Sequence, residues 1–144
     1  MSQDLGYVGF AADIYGAEFG GVEDFAIRRE QAGKYRSNET LFSSRIQAAV
    51  DVLKNHPDVM PDKIAVIGYC ETGILTYSFM GATDVVGAVS FHGGLTNFTT
   101  GANITHPILV LSGGDDDTGT EVEDLEFRLN QANGKLFLRS NQLH

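Results

Sequence analysis

Four short apolar runs, each followed by glycine, constrain this chain more than any other feature in it. They are Tyr7-Val8-Gly9-Phe10-Ala11-Ala12-Asp13-Ile14-Tyr15-Gly16, Lys63-Ile64-Ala65-Val66-Ile67-Gly68, Val85-Val86-Gly87-Ala88-Val89-Ser90-Phe91 and Pro107-Ile108-Leu109-Val110-Leu111. Successive side chains of a strand point to opposite faces, so a strand apolar throughout needs cover on both. Between the runs the pattern turns helical. Phe25 to Lys34 has helical content, and Leu41, Ile46, Ala49, Val50 and Leu53 recur at helical spacing until Asn55-His56-Pro57 stops them. Ile74 to Met80 and Glu121 to Asn133 read as further helices, the second stopped by Gly134, and Lys135 to Arg139 reads as a last strand. The alternation predicts one α/β domain over residues 1–144, a mostly parallel sheet with helices on both faces. Sites in such sheets lie beyond the carboxyl ends of the strands. Three loops gather there: Gly68 to Gly73, His92 to Gly94, and Gly113 to Asp117.

Composition removes several classes of function. Ten Lys and Arg against 19 Asp and Glu give a formal charge of −9, so nothing would neutralise a phosphate track, and no nucleic-acid partner is expected. A single cysteine excludes an intrachain disulfide and a multi-cysteine zinc site. No apolar run approaches the roughly 18 residues of a membrane span, and no basic-then-apolar leader opens the chain. The expectation is a cytoplasmic protein with no membrane partner, no cofactor and no resident metal. Three asparagines, in Asn38-Glu39-Thr40, Asn97-Phe98-Thr99 and Asn103-Ile104-Thr105, match a glycosylation pattern that has little meaning without a leader.

Gly68-Tyr69-Cys70-Glu71-Thr72 follows a strand and precedes a helix. It fits the order small, any, nucleophile, any, small of a nucleophile elbow. The nucleophile there sits on a sharp strand-to-helix turn, where large neighbours would collide, and the following N–H groups face an oxyanion. The plainer reading is a small buried hydrophobe at a strand end. Thr72, being β-branched, fits the elbow less well than glycine.

Four segments in order resemble the dienelactone hydrolase family, cysteine-dependent members of the α/β-hydrolase fold. Gly6-Tyr7-Val8 with Ala12-Asp13-Ile14-Tyr15-Gly16 is similar to one family segment, and Asp62 to Cys70 to its nucleophile strand and elbow. Val89 to Gly94 resembles the next strand end, and Pro107 to Asp116 the acid-bearing strand. The resemblance implies a Cys-His-Asp hydrolase of lactones or small carboxylic esters, with Cys70 as nucleophile.

In that fold the acid and then the histidine follow the nucleophile along the chain. The family's acid position falls on Asp116, with Asp115 as close competitor. Asp115-Asp116-Asp117 also reads as a solvated acidic loop or, less well, as a Ca²⁺ or Mg²⁺ site that lacks the spacing of a calcium loop. His144 is the sole histidine downstream of Asp116 and ends the chain. His92 sits in a glycine turn, where it packs or hydrogen-bonds, and His56 and His106 each precede a proline and read as loop residues. Arg29 resembles a family arginine that grips a substrate carboxylate, against the reading of a solvated helix face.

The family carries further residues before this chain's first run, including early strands, a second oxyanion donor and a glutamate that manages the thiol. The N–H of Glu71 would remain as the oxyanion donor, and its carboxylate would stand in for the absent glutamate. An N-terminally truncated sheet is then expected to pair its first run with the nucleophile strand, to be completed by a homo-oligomer, or to be a fragment. Two functions follow: a hydrolase weakened by truncation, acting on a small ester or lactone, or an inactive remnant used as a binding or interaction module.

Overall fold

The computed structural model describes residues 5–19, 23–70, 73–95, 99, 103–113 and 119–141. Two helices come first, α1 at Phe25–Arg36 and α2 at Glu39–Lys54. Each begins on an expected kind of cap. Asp24 accepts from the N–H of Ala26 at 2.8 Å, and Asn38 from that of Leu41 at 3.0 Å. Strand β1 (Ala65–Tyr69), helix α3 (Gly73–Phe79), strands β2 (Gly87–Phe91) and β3 (Ile108–Gly113), helix α4 (Gly119–Gln131) and strand β4 (Leu136–Asn141) follow. The strands form one sheet in the order β1-β2-β3-β4, every pair parallel.

The register sorts side chains onto two faces. Val66 lies level with Ala88, and Ala88 with Ile108. This face packs against α3 and α4: Ala88, Ile108 and Val110 join Ile74, Leu75, Phe79, Leu125 and Leu129 in one core cluster. Leu125 and Leu129 are one helical turn apart, which is why α4 seats there. Helix α4 ends with a left-handed residue, Asn133 at φ 54°. Gly134, read from the sequence as the stop, donates its N–H to the Leu129 carbonyl at 2.9 Å, which closes the helix, and it also allows a close approach: a Cβ there would stand 3.0 Å from the Leu129 side chain.

A second cluster lies behind α3. Phe42, Ile46 and Val50, four residues apart on α2, bury against Tyr35, Tyr77 and Val85. A polar strut crosses it. The Tyr77 hydroxyl donates to Gln47 Oε1 at 2.7 Å, and Gln47 Nε2 donates to Asp51 and Asp84, each at 3.0 Å. Burial, with Asp84 and Asp51 nearby, pushes the Tyr77 phenol up to about 12.

The opposite sheet face stays open among the described residues. Ile67 and Phe137, at either end of the row that includes Val89 and Leu109, are 60% and 61% exposed. Tyr69 is also exposed, its ring stacked on Phe91 at 4.8 Å. Cover on both faces was the expectation, and the described helices α3 and α4 supply it on the first face.

The first apolar run corrects another expectation. Tyr7 to Gly16 forms no strand, and Tyr7, Val8 and Phe10 are exposed. A strand needs a partner for its backbone, and a β-prone sequence alone does not supply one. Pairing with β1, one of the three outcomes expected, is absent among the described residues, and a cavity of about 550 Å³ lies between the run and β1. Phe10, Ala11, Ala12, Ile14 and Tyr15 line it together with α2 and Ala65 to Tyr69. Beyond Asp13, whose carboxylate accepts from Gly16 N–H at 2.9 Å, the run closes in a turn.

Candidate active site

Cys70 occupies the first position beyond β1, at φ 70°, in the left-handed region. A non-glycine residue there is strained by roughly 1 kcal/mol. Its N–H donates to the carbonyl of Phe91 at 3.0 Å, which ties the turn to β2. That N–H is therefore committed and does not face a substrate oxyanion. The thiol is free and exposed, so the reading of Cys70 as a buried small hydrophobe is wrong.

Two glycines make the turn sterically feasible. A Cβ at Gly68 would run into Ile74 Cγ1, and one at Gly73 into the ring of Phe42. The sequence pattern singled out Gly68 and position 72. The close approach at Gly73, where α3 meets α2, carries no signal in the pattern, because it depends on a helix thirty residues upstream.

A second cavity, about 710 Å³, adjoins Cys70. Helix α1 supplies Phe25, Ile27, Arg28, Arg29, Gln31, Ala32 and Arg36 to its wall, and Tyr15, Phe19 and Tyr69 complete it. The structure thus brings two sequence candidates, Cys70 and Arg29, to one cavity. Arg28 is held in place, its guanidinium donating to the carbonyl of Glu23 at 2.7 Å. Arg29 has no side-chain partner among the described residues. A guanidinium without a protein partner beside aromatic walls suits a planar carboxylate. The exposed aromatics Phe25 and Tyr69 were not foreseen as part of this wall.

Glu71, Asp115, Asp116 and His144 lie outside the described residues, as does Thr72. The strands that lead to the candidate acid and base are described. Gly113 at the end of β3 and Asn141 at the end of β4 are level with one another. Asp116 and His144 each follow three residues beyond that rung.

The remaining histidines divide. His92 follows β2 one position beyond the rung that joins Tyr69 to Phe91, as Cys70 follows β1. It is exposed, in the left-handed region at φ 38°, and its N–H donates to the Leu111 carbonyl at 2.7 Å. His106 lies in a loop, as expected, but it is buried there: it is 4% exposed, with Nε2 2.9 Å from the buried Ser78 hydroxyl. Burial lowers its pKa, opposed in part by the Ala82 carbonyl. His56 stays on the surface, where its Nδ1 accepts from Asp58 N–H at 3.2 Å. Among the described residues no cluster of three metal-ligating side chains forms, and no helix is long and apolar enough to cross a membrane.

A family model for dienelactone hydrolases matches residues 2–143. Among solved structures, a dienelactone hydrolase-like promiscuous phosphotriesterase from metagenomic libraries is 28% identical, with a TM-score of 0.82 over 96% of this chain and 60% of that one. A protein described as m3DLH is 23% identical, with a TM-score of 0.85 over 98% of this chain and 60% of its own. The Bacillus cereus carboxylesterase is 18% identical, with a TM-score of 0.57 over 70% of this chain and 50% of its own. The last two likenesses concern the fold alone. This chain spans about 60% of the length of the first two. No curated protein matches it.

Proposed function

Since the chain belongs to the dienelactone hydrolase family, we propose that it is a cysteine-dependent hydrolase of lactones or small carboxylic esters. One observation carries the proposal: a free, exposed thiol on a left-handed turn lines the same cavity as Arg29. Cys70 Sγ attacks the ester or lactone carbonyl, and the C–O bond of the leaving alkoxide breaks to give a thioester. Water then attacks the thioester and releases the acid and the thiol. His144 takes the thiol proton, returns it to the leaving oxygen and activates the water, while Asp116 orients the imidazole. The N–H of Glu71 takes the oxyanion, because that of Cys70 is already bonded. Arg29 holds a substrate carboxylate.

The sheet sets a requirement on this triad. Cys70 follows β1 and His144 follows β4, three strand spacings or about 14 Å apart. For the triad to form, the imidazole has to reach back across β3 and β2. His92, one position beyond β2 as Cys70 is beyond β1, is the competing base.

The decisive measurement is hydrolysis of an activated aryl ester and of a carboxylate-bearing unsaturated lactone. Cys70→Ala is expected to lower both by about 10³-fold. Equal rates for the variant and the parent would leave the alternative, a binding module that keeps the fold without the chemistry. His144→Ala is expected to match Cys70→Ala, and His92→Ala to stay near the parent. The reverse result transfers the base to His92. Arg29→Gln is expected to raise KM for the acidic lactone about tenfold and leave the neutral ester alone.

A further inference from the structure

We propose that the cavity beside Cys70 takes a substrate with two carboxylates besides the ester or lactone it cleaves, Arg29 holding the first and Arg28 the second. The inference rests on the reading of this cavity as the substrate site.

The argument begins with the placement of charge along α1. Four of the chain's ten Lys and Arg lie in these twelve residues, against one acid, Glu30, in a chain of net charge −9. Helix stability accounts for two of the four. Lys34 and Arg36 stand in the last turn, where the carbonyl end of a helix favours cations. Arg28 and Arg29 are the fourth and fifth residues, nearer the end that favours anions, and no acid occupies the first turn. Their presence there needs another reason.

The cavity supplies one. Both arginines stand on the wall of the cavity that adjoins Cys70, and no described residue of that wall is acidic. Neither guanidinium pairs with a carboxylate among the described residues. A cleft lined by one sign of charge concentrates its field and draws in the opposite sign. Arg28 is also held ahead of its ligand. Its guanidinium donates to the Glu23 carbonyl at 2.7 Å, a neutral acceptor that fixes the group and leaves its charge uncancelled. A fixed guanidinium loses less freedom when it binds an anion.

Two anions suit this wall better than one. Successive residues leave a helix about 100° apart, and the tie to Glu23 keeps Arg28 on its own line. A single carboxylate would answer one of the two charges and leave the other.

The experiment reads binding without turnover, so it can fail while the protein hydrolyses esters and succeed while it does not. Cys70 is the sole cysteine, and its alkylation by the neutral reagent iodoacetamide is followed by mass in the whole chain. The probes are adipate, its monoamide and its diamide, alike in size and carrying two, one and no charges. Adipate is expected to halve the alkylation rate at about one tenth of the concentration that the monoamide needs, and the diamide at neither. Arg28→Gln is expected to bring adipate down to the level of the monoamide and to leave the monoamide unchanged. Arg29→Gln is expected to weaken both about tenfold. Lys34→Gln, on the same helix but off the cavity wall, is expected to change nothing. No protection by adipate, equal protection by adipate and monoamide, or adipate protection that survives Arg28→Gln would overturn the proposal. So would equal losses for both probes in both arginine variants, which would mean one carboxylate shared by two guanidiniums. A loss in Lys34→Gln equal to that in Arg28→Gln would overturn it too, since net charge and not position would then be at work.

Discussion

Ile108 and Val110 on β3 are wholly buried, whereas Ile67 and Tyr69 on β1 are 60% and 64% exposed. The four residues are similar in apolar character and belong to the same parallel sheet. What differs is their surroundings. Ile108 and Val110 point to the face that α3 and α4 cover, on a strand with a neighbour on each side. Ile67 and Tyr69 point to the opposite face, on a strand that among the described residues has one neighbour and, at its carboxyl end, Cys70 and the arginine-lined cavity. Stability is concentrated in the closed half, and every candidate catalytic group that is described lies at the rim of the open half. A thiol must be reached by substrate, and Ile108 must not be reached by water.

The largest expected effect separates the two halves by stability. Leu125, fully buried under the sheet, should lose about 2–5 kcal/mol on replacement by alanine. Ile67→Ala should change stability by no more than about 0.5 kcal/mol, because its side chain already faces solvent. Urea unfolding of both variants measures this. A similar loss at both positions would mean that the β1 side chains are covered in solution, and the contrast would fail.

A smaller effect tests whether the open half gives up stability for chemistry. Cys70 holds a left-handed φ of 70°, a conformation that glycine adopts without strain. Cys70→Gly should therefore raise stability by about 1 kcal/mol while removing the proposed nucleophile. Cys70→Ala removes the same thiol and keeps the strain. The difference between the two variants in urea midpoint isolates the backbone contribution. If glycine brought no gain, the turn would be relaxed in solution, and the elbow reading would lose its physical basis.

These contrasts also explain what could be read from sequence. The runs at residues 63–68, 85–91 and 107–111 are apolar because they lie within or beside a packed core, and each reappears as a strand shifted by one or two residues. Residues 7–16 have the same look and form no strand, since pairing is a property of two segments and periodicity describes only one. Cys70 was legible because its turn needs local partners, Gly68 above all. Its cavity was not. Phe25 and Arg36 on α1 meet Tyr69, which lies more than thirty residues further along the chain and follows no spacing shared with them. His106 stands before a proline, which marks loops well. Its burial against Ser78 depends on α3 folding over the sheet, which no local pattern encodes.

The closed half should also respond to pH, and the signs follow from burial. His106 is held neutral, with its pKa below the ordinary 6.5. The unfolded chain takes up a proton near pH 6.5 and the folded chain only at lower pH. Between those values the unfolded state binds more protons, so stability is complete above pH 6.5 and drains as pH falls. Tyr77 acts at the other end. Its phenol ionises near 10 when unfolded and near 12 when folded, so its contribution is complete below pH 10 and is lost between 10 and 12. Urea midpoints from pH 5 to 11 should trace a plateau with two shoulders. His106→Asn should flatten the acid shoulder and Tyr77→Phe the alkaline one, each without altering the other. Ile67→Ala, in the open half, should leave both shoulders in place. An acid shoulder that persisted in His106→Asn would move its origin to the carboxylates, and the buried Ser78–His106 pair would no longer mark the closed half as the pH-sensitive one.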